Sequence, residues 1–161
     1  APWDFHAQHS AVKKTYRYRI YNAPSPSPFL DRFATWIPKS LDTEKLNEFA
    51  QILMGKHDFK SFQSQGDKVE STVREIFEAK WEREGKMVFF SITGSGFLKQ
   101  MVRNLVGTTL FHYSNGGTPN DLKLVLEAQD RRLAKPPSPP QGLFLRKVYY
   151  PPELDSQCRK I

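Results

Sequence analysis

The sequence predicts an α+β domain in which helices pack against a mainly antiparallel sheet. Four segments have the residue pattern of strands, three have apolar residues at helical spacing, and no linker is long enough to separate two domains. The predicted order is strand, helix, two strands, two helices and strand. Of the 161 residues, 39% are hydrophobic and 13% aromatic, which supplies one core and excludes a disordered chain.

The first predicted strand covers residues 14–22, KTYRYRIYN. Its alternation turns Tyr16 and Tyr18 to one face of the sheet and Arg17 and Arg19 to the other. Alternating tyrosines usually belong to a core. Tyrosines interleaved with cations also suit stacking on nucleic-acid bases between phosphate contacts, so both interpretations stay open.

Capping and turn residues set the boundaries of the other predicted elements. A helix is predicted from Asp42 or Thr43 to a C-terminal cap at Gly55, followed by a loop at 57–67 anchored by Phe59 and Phe62. A hairpin of strands 69–82 and 86–93 is predicted to turn at Gly85. A helix from Pro119 to Arg131 and a strand from Gly142 to Tyr150 complete the prediction. Residues 151–161 are predicted to form a polar tail.

The segment GFLKQMVRNLVG, residues 96–107, predicts a helix that starts at residue 96 or 97 and ends at 111 or 112. Arg103 shares a helix face with Lys99 and Gly107, although apolar residues flank it. Helix geometry alone favours a solvated basic face. Gly107, one turn beyond Arg103, leaves a gap into which another chain segment or a ligand fits, which favours a functional role.

The net charge of +7 and the isoelectric point near 9.5 favour a polyanionic partner, although an ordinary basic protein has the same composition. His6 and His9 have a spacing that suits a metal, but no further ligand lies near them, so no metal site is predicted. No nucleotide-cradling glycine pattern, nucleophile elbow or membrane-length apolar run is present. The single cysteine, Cys158, excludes an internal disulfide.

Four stretches occur in the order and spacing of one family: SAVKKTYRYRIYN, GKHDFKSFQ, GSGFLKQMVRNLVGTTL and PPQGLFL. With DFHAQHSA before the first strand, the chain resembles the TruA family of tRNA pseudouridine synthases over residues 4–150. The resemblance implies that residues 1–150 are the C-terminal catalytic, RNA-binding half of a pseudouridine synthase fold.

The resemblance also implies an activity: conversion of uridine to pseudouridine in tRNA, with base flipping, an aspartate nucleophile, and no cofactor or metal. By position in the family motifs, Tyr16 packs on the target base and Arg103 pairs with the catalytic aspartate. A partly buried pair of this kind would keep the aspartate ionised and oriented. Further residues, close in sequence to these two, are expected to contact RNA: Lys13, Lys14, Arg17 and Lys99.

One departure from the family is large. Its nucleophile lies in a G-R-x-D motif followed by G-V, upstream of DFHA, and none of the aspartates of this chain has that context. We therefore expect the nucleophile to come from a missing upstream half and the present chain alone to be inactive. A sheet cut between two halves would expose a strand edge, which predicts homodimerisation or sheet-edge association.

The expected partner is tRNA, and no membrane partner is expected; cytoplasm, nucleus and organelle all remain possible compartments. An alternative from another functional class is a non-catalytic RNA-binding module that keeps the fold and the basic face. A scaffold domain would explain the charge but not the motifs. Retention of Tyr16 and Arg103 favours the enzyme, because a simple binder needs no arginine for a catalytic carboxylate.

Overall fold

A computed structural model of the protein describes residues 6–7 and 10–153. The strands are β1 (Lys13–Tyr21), β2 (Thr35–Trp36), β3 (Gly55–Asp58), β4 (Val73–Glu84), β5 (Met87–Gly94) and β6 (Leu143–Tyr149), and the helices are α1 (Thr43–Gln51), α2 (Met101–Ser114) and α3 (Pro119–Ala128). Short 3₁₀ turns cover Lys60–Phe62 and Pro140–Gly142. The α+β class is confirmed. His9 and Cys158 lie outside the described residues, as do residues 154–161 of the predicted polar tail.

β1 pairs with three other strands, β2, β5 and β6. The sheet has the order β2-β1-β5-β4-β3, and β6 pairs with β1 along the same edge as β2. Every pairing is antiparallel except that of β1 with β2. Tyr16 pairs with Ile92 of β5 on one side and Leu145 of β6 on the other. Its backbone is therefore held between two neighbouring strands.

The helices cover the face of β1 to which Tyr18 and Ile20 point, and α1 packs on β4. The largest fully buried side chains are Trp81, Tyr18, Phe59, Phe62, Phe90, Ile20, Leu46, Leu53, Ile76, Ile92, Met101 and Leu105. The predicted anchoring by Phe59 and Phe62 is confirmed, since both are fully buried. On the opposite face, the Arg19 guanidinium lies 3.8 Å from the centre of the Phe144 ring.

α2 begins at Met101, so the predicted start at residue 96 or 97 is wrong. Gln100, with φ 59°, adopts the left-handed conformation just before the helix. The Lys99 carbonyl accepts from the Ser64 amide at 3.1 Å, and the Lys99 amide donates to Asp67 Oδ2 at 3.3 Å. These bonds hold Lys99 in a turn, so it does not share a helix face with Arg103. The helix also extends to Ser114, past the predicted end.

Other boundaries differ from the sequence prediction in similar ways. The start of α1 is confirmed, with Asp42 capping it, but the helix ends at Gln51 and Gly55 begins β3, so the predicted cap at Gly55 is wrong. The sequence predicts no element at β2, and β3 overlaps both the predicted end of the first helix and the start of the loop predicted at residues 57–67. α3 ends at Ala128 rather than Arg131, because Gln129 takes a φ of 50° and leaves the helical path. The hairpin of β4 and β5 around Gly85 is confirmed.

Candidate active site

A cavity of about 570 Å³ opens where β1 meets the turn before α2, and we call it the Tyr16 cavity. Its walls come from strands β1, β4 and β6, the loop before β4 and the segment that leads into α2. The lining residues with polar or charged side chains are Tyr16, Asp67, Arg74, Lys99 and Gln100. The fold therefore combines an aromatic ring, cations and one carboxylate, from parts of the chain that are distant in sequence.

Tyr16 contributes its ring to this cavity. The ring meets that of Phe97 edge-on, with centroids 5.1 Å apart and an interplanar angle of 82°. Burial raises the pKa of the Tyr16 hydroxyl above its ordinary value of 10.0, so the side chain is neutral at neutral pH. The hydroxyl forms no hydrogen bond with any described residue. Tyr16 thus presents a neutral aromatic surface and an unused hydroxyl to the cavity.

Arg103 lies in the first turn of α2, next to Val102 of the cavity wall. Its Nε donates to the Ser138 carbonyl at 2.7 Å, and the Ser138 amide donates to the Arg103 carbonyl at 3.0 Å. The half-buried side chain forms no ion pair with a described residue. A guanidinium has five N–H donors, so this single tether through Nε leaves its two terminal amino groups available to an anion.

The charge of Arg103 is felt by a second tyrosine of β1. Burial raises the pKa of Tyr18, while the hydrogen bond with Thr35, the nearby Ser138 hydroxyl and the positive charge of Arg103 act in the opposite direction. The Tyr18 hydroxyl donates to the Pro139 carbonyl at 2.7 Å, and Arg103 Nε donates to the carbonyl of the adjacent Ser138 at the same distance. The guanidinium therefore lies near the Tyr18 hydroxyl, on the face of β1 that also carries Tyr16.

Gly107 explains how Arg103 is tethered. A side chain at this position would collide with the Pro136 carbonyl and would come within 3.1 Å of the Ser138 amide. The gap predicted beside Gly107 is thus filled by another chain segment, which we call the connector (residues 134–139). Because the connector lies directly against α2, Ser138 reaches the side chain of Arg103.

Asn104, which the sequence analysis did not select, fixes the same turn of α2 from the other side. It is fully buried, its Nδ2 donates to the Phe62 carbonyl at 2.7 Å, and its Oδ1 accepts from Arg131 Nη2 at 3.2 Å. The signal for it was an amide between Arg103 and Leu105 in an otherwise apolar helix. Such an amide is stable in a core only when its polar atoms are hydrogen-bonded.

A family model described as tRNA pseudouridine synthase matches residues 49–151, well over half of the chain. The chain belongs to the tRNA pseudouridine synthase family. This confirms the family predicted from the sequence motifs.

Curated relatives agree with the family model. A tRNA pseudouridine synthase A from Bdellovibrio bacteriovorus is 54% identical over 162 residues, covering 100% of this chain and 62% of the relative. The proteins of that name from Geobacillus kaustophilus and Herminiimonas arsenicoxydans are 42% and 39% identical, each over 93% of this chain and over 58% and 54% of their own lengths. The chain thus spans less than two thirds of these relatives.

The predicted RNA-contact residues of this tRNA pseudouridine synthase family member lie on two opposite faces of the sheet. Lys99 lines the Tyr16 cavity, and strand alternation puts Lys14 on the face of Tyr16. Lys13 and Arg17 lie on the opposite face. There the Lys13 Nζ is 4.5 Å from the centre of the Tyr149 ring, and Arg17 Nε donates to Ser91 Oγ at 3.2 Å.

The side chains of His57 and Asp58, at the end of β3, both have hydrogen-bond partners in this family member. Residues 6–7 and 10–153 contain no group of three or more His, Cys, Asp or Glu side chains that could hold a metal ion. His57 Nε2 bonds to the Met54 carbonyl at 2.7 Å, while Asp58 accepts from Thr72 and from the Lys60 amide. Among the described residues, none of the helices could span a lipid bilayer.

Proposed function

We propose that the full-length protein containing this chain isomerises uridine to pseudouridine in tRNA. In this proposal residues 1–150 supply the C-terminal catalytic and RNA-binding half, and residues 151–161 form a polar tail. The observation that carries the proposal is the half-buried guanidinium of Arg103, which Ser138 holds and which has no carboxylate partner among the described residues. Arg103 follows Val102, a residue of the Tyr16 cavity wall, in the first turn of α2. A cation arranged in this way suits an anion that arrives from outside the chain.

Arg103 is proposed to bind the nucleophilic aspartate, supplied by the upstream half of the protein. A charge-assisted pair with the two free amino groups of the guanidinium would fix the carboxylate and keep its pKa low, so that it attacks as an anion. Because Arg103 lies in the first turn of α2, the positive end of the helix dipole favours the same anion. The reaction breaks the N1–C1′ and C5–H bonds and forms the C5–C1′ and N1–H bonds. No atom is gained or lost, so its stoichiometry requires no cofactor.

Tyr16 is proposed to receive the target base. A uridine in an RNA stem must leave its stack before its glycosidic bond is accessible, at a cost of a few kcal/mol. Stacking on an aromatic side chain recovers about 1–3 kcal/mol per base. The neutral, half-buried ring of Tyr16 lines a cavity of about 570 Å³, which supports this role.

Four cations are proposed to attract the RNA backbone. Lys99 and Lys14 are on the side of the Tyr16 cavity and suit phosphates that flank the target nucleotide. Lys13 and Arg17, on the opposite face, would contribute to the general positive field that attracts tRNA.

The outer edge of β6 is proposed as an association edge, through the upstream half of the same protein or through a homodimer. No described strand pairs with β6 on the side away from β1. Leu145 of this strand is 52% exposed, so the edge offers an apolar side chain beside the unpaired backbone groups.

The test is conversion of uridine in tRNA by the full-length protein and its Arg103→Ala variant. We expect kcat to fall by about 100- to 1000-fold, because the charge that orients the nucleophile is lost. Arg103→Lys should recover only part of the activity, since an ammonium lacks the planar fork. Arg32→Ala, which removes an exposed arginine, is the matched control and should leave kcat unchanged. Equal activity of Arg103→Ala and wild type would make Arg103 a surface charge and overturn the site.

Asp67→Asn tests where the nucleophile comes from, because Asp67 is the carboxylate that lines the Tyr16 cavity. The proposal expects this variant to retain activity. Because Asp67 also holds the turn at Lys99, inactivation would contradict an upstream nucleophile only when tRNA binding and the unfolding midpoint are unchanged. A wild-type protein that binds tRNA without converting it would support the non-catalytic RNA-binding module. The names of the relatives give that alternative no support.

A further inference from the structure

A second cavity, of about 430 Å³, lies beside the connector, and we call it the Arg131 cavity. It is lined by Ser64, Gln65, Arg131, Arg132, Ala134 and Pro136. The loop at residues 64–67 separates it from the Tyr16 cavity, which Asp67 lines on the other side. The Ser64 amide donates to the Lys99 carbonyl, so the two cavities share one hydrogen-bonded loop.

Arg131 is held rigidly in the wall of this cavity. Its Nη1 donates to the Ala134 carbonyl at 3.1 Å and its Nη2 to Asn104 Oδ1 at 3.2 Å. Both partners are neutral, and Arg131 forms no ion pair with a residue in the described ranges. A half-buried guanidinium with a fixed orientation and an uncompensated charge is arranged in advance for an anion.

The neighbouring carboxylate does not neutralise Arg131. Both oxygens of Asp130 bind Arg132, with Nε at 3.0 Å from Oδ1 and Nη2 at 2.7 Å from Oδ2. These bonds lower the pKa of Asp130 to about 2, so the pair is ionised throughout the physiological range. Asp130 and Arg132 cancel one another, and the Arg131 cavity keeps one net positive charge among these three residues.

We propose that the Arg131 cavity is a phosphate subsite that binds a backbone phosphodiester of the substrate RNA. This inference rests on the proposed function. The connector links it to the catalytic centre, since its two ends hold Arg131 through Ala134 and Arg103 through Ser138. A phosphodiester at Arg131 would therefore set the position of the RNA relative to Arg103. Exposed Gln65 at the rim is near enough to the cavity for a new charge there to act on the bound phosphate.

The experiment changes the charge of the cavity without removing a contact that supports α2. In the full-length protein, Gln65→Glu and Gln65→Lys are compared for tRNA binding over a range of salt concentrations. We expect Gln65→Glu to raise Kd about 3- to 10-fold and Gln65→Lys to lower it by a similar factor. The slope of log K against log salt should change by about 1 in opposite directions. Gln51→Glu and Gln51→Lys, at the exposed end of α1, are matched controls and should change neither quantity.

Arg131→Gln gives a second reading, since it should weaken tRNA binding and reduce the salt slope by about 1. Because Arg131 also supports Asn104, the unfolding midpoint of the Arg131→Gln variant is measured in parallel. Arg131→Lys keeps the positive charge and should restore the slope of log K against log salt. Binding curves for the two Gln65 variants that coincide with those of the Gln51 controls would overturn the proposal. A second outcome would also overturn it: inorganic phosphate binds the wild-type protein and not Arg131→Gln, while the two proteins bind tRNA with the same affinity.

The same variants separate this inference from the proposed function. At saturating tRNA, the Gln65 variants should convert uridine with wild-type kcat and an altered KM. A wild-type protein without conversion would contradict the proposed function. Wild-type conversion together with unchanged KM in both Gln65 variants would contradict the phosphate subsite alone.

Discussion

Tyr16 and Tyr18 are two residues apart on the same strand and the same face, yet their surroundings differ. Tyr18 is fully buried, its hydroxyl lies 2.6 Å from Thr35 Oγ1, and it donates to the Pro139 carbonyl at 2.7 Å. Tyr16 is half-buried, has no hydrogen-bonded partner among the described residues, and faces a cavity. The connector and β2 close over Tyr18, whereas the turn at residues 97–100 leaves Tyr16 open. What covers each ring, and not the strand pattern, separates a core tyrosine from a candidate binding surface.

The largest expected effect on stability is at the end of β1 that carries the buried Tyr18. There, Gly142→Ala tests how closely residue 142 packs against Tyr18. A methyl group there would lie 2.7 Å from Tyr18 Cζ and 2.8 Å from the Arg19 carbonyl, so one of the two must move. We expect a loss of about 2–3 kcal/mol in unfolding free energy. Urea unfolding of the two proteins measures this difference.

Gly96→Ala is the matched change at the open end. Its methyl group would lie 3.5 Å from Arg74 Nε, which is ordinary van der Waals contact. The unfolding free energy should stay within about 0.5 kcal/mol of wild type or increase, because alanine restricts the unfolded chain. Equal losses at both glycines would mean that the two ends of β1 are equally closed.

The next largest effect concerns the hydroxyl groups of Tyr16 and Tyr18 and their contributions to the unfolding free energy. Tyr18→Phe removes hydrogen bonds to Thr35 and Pro139 and leaves a carbonyl without its donor, so we expect it to destabilise the fold by about 1–3 kcal/mol. Tyr16→Phe removes no such bond and should change the unfolding free energy by less than about 0.5 kcal/mol. Thermal unfolding of both variants distinguishes the two hydroxyls, and a larger loss for Tyr16→Phe would contradict the comparison.

Several features could be predicted from the sequence because they depend on neighbouring residues. The alternation of β1, the cap at Asp42 and the turn at Gly85 are local patterns, and all three are confirmed. Gly107 also predicted a close approach, although not which of two occupants would fill the gap. The connector fills it and tethers Arg103.

The features that could not be predicted depend on long-range contacts. The start of α2 is set by Ser64 and Asp67, more than thirty residues earlier in the chain, which bond to Lys99 and hold the turn. Arg131 was only one of several basic residues until the fold joined it to Asn104. Sequence proximity grouped Arg17 with Tyr16 as RNA contacts, although strand alternation had already placed them on opposite faces.

The smallest effect is electrostatic. Burial raises the pKa of both tyrosines above the ordinary value of 10.0, but only Tyr18 also feels hydrogen bonds and the charge of Arg103, which lower it. Removing the cation in Arg103→Ala should therefore raise the pKa of Tyr18 further and leave that of Tyr16 unchanged. NMR titration of the tyrosine ring carbons at high pH measures both values in one sample.

The sign of the accompanying stability change follows from linkage. A folded-state pKa above the unfolded value contributes stability that is fully present below pH 10 and is lost as the pH rises through the folded-state value. Above pH 10, Tyr16→Phe and Tyr18→Phe should each lose less stability than wild type, because each lacks one group that ionises preferentially in the unfolded chain. In Arg103→Ala, the loss linked to Tyr18 should extend to higher pH. Equal pKa changes at both tyrosines would mean that Arg103 acts on the whole of β1, and its proposed position beside Tyr18 would be wrong.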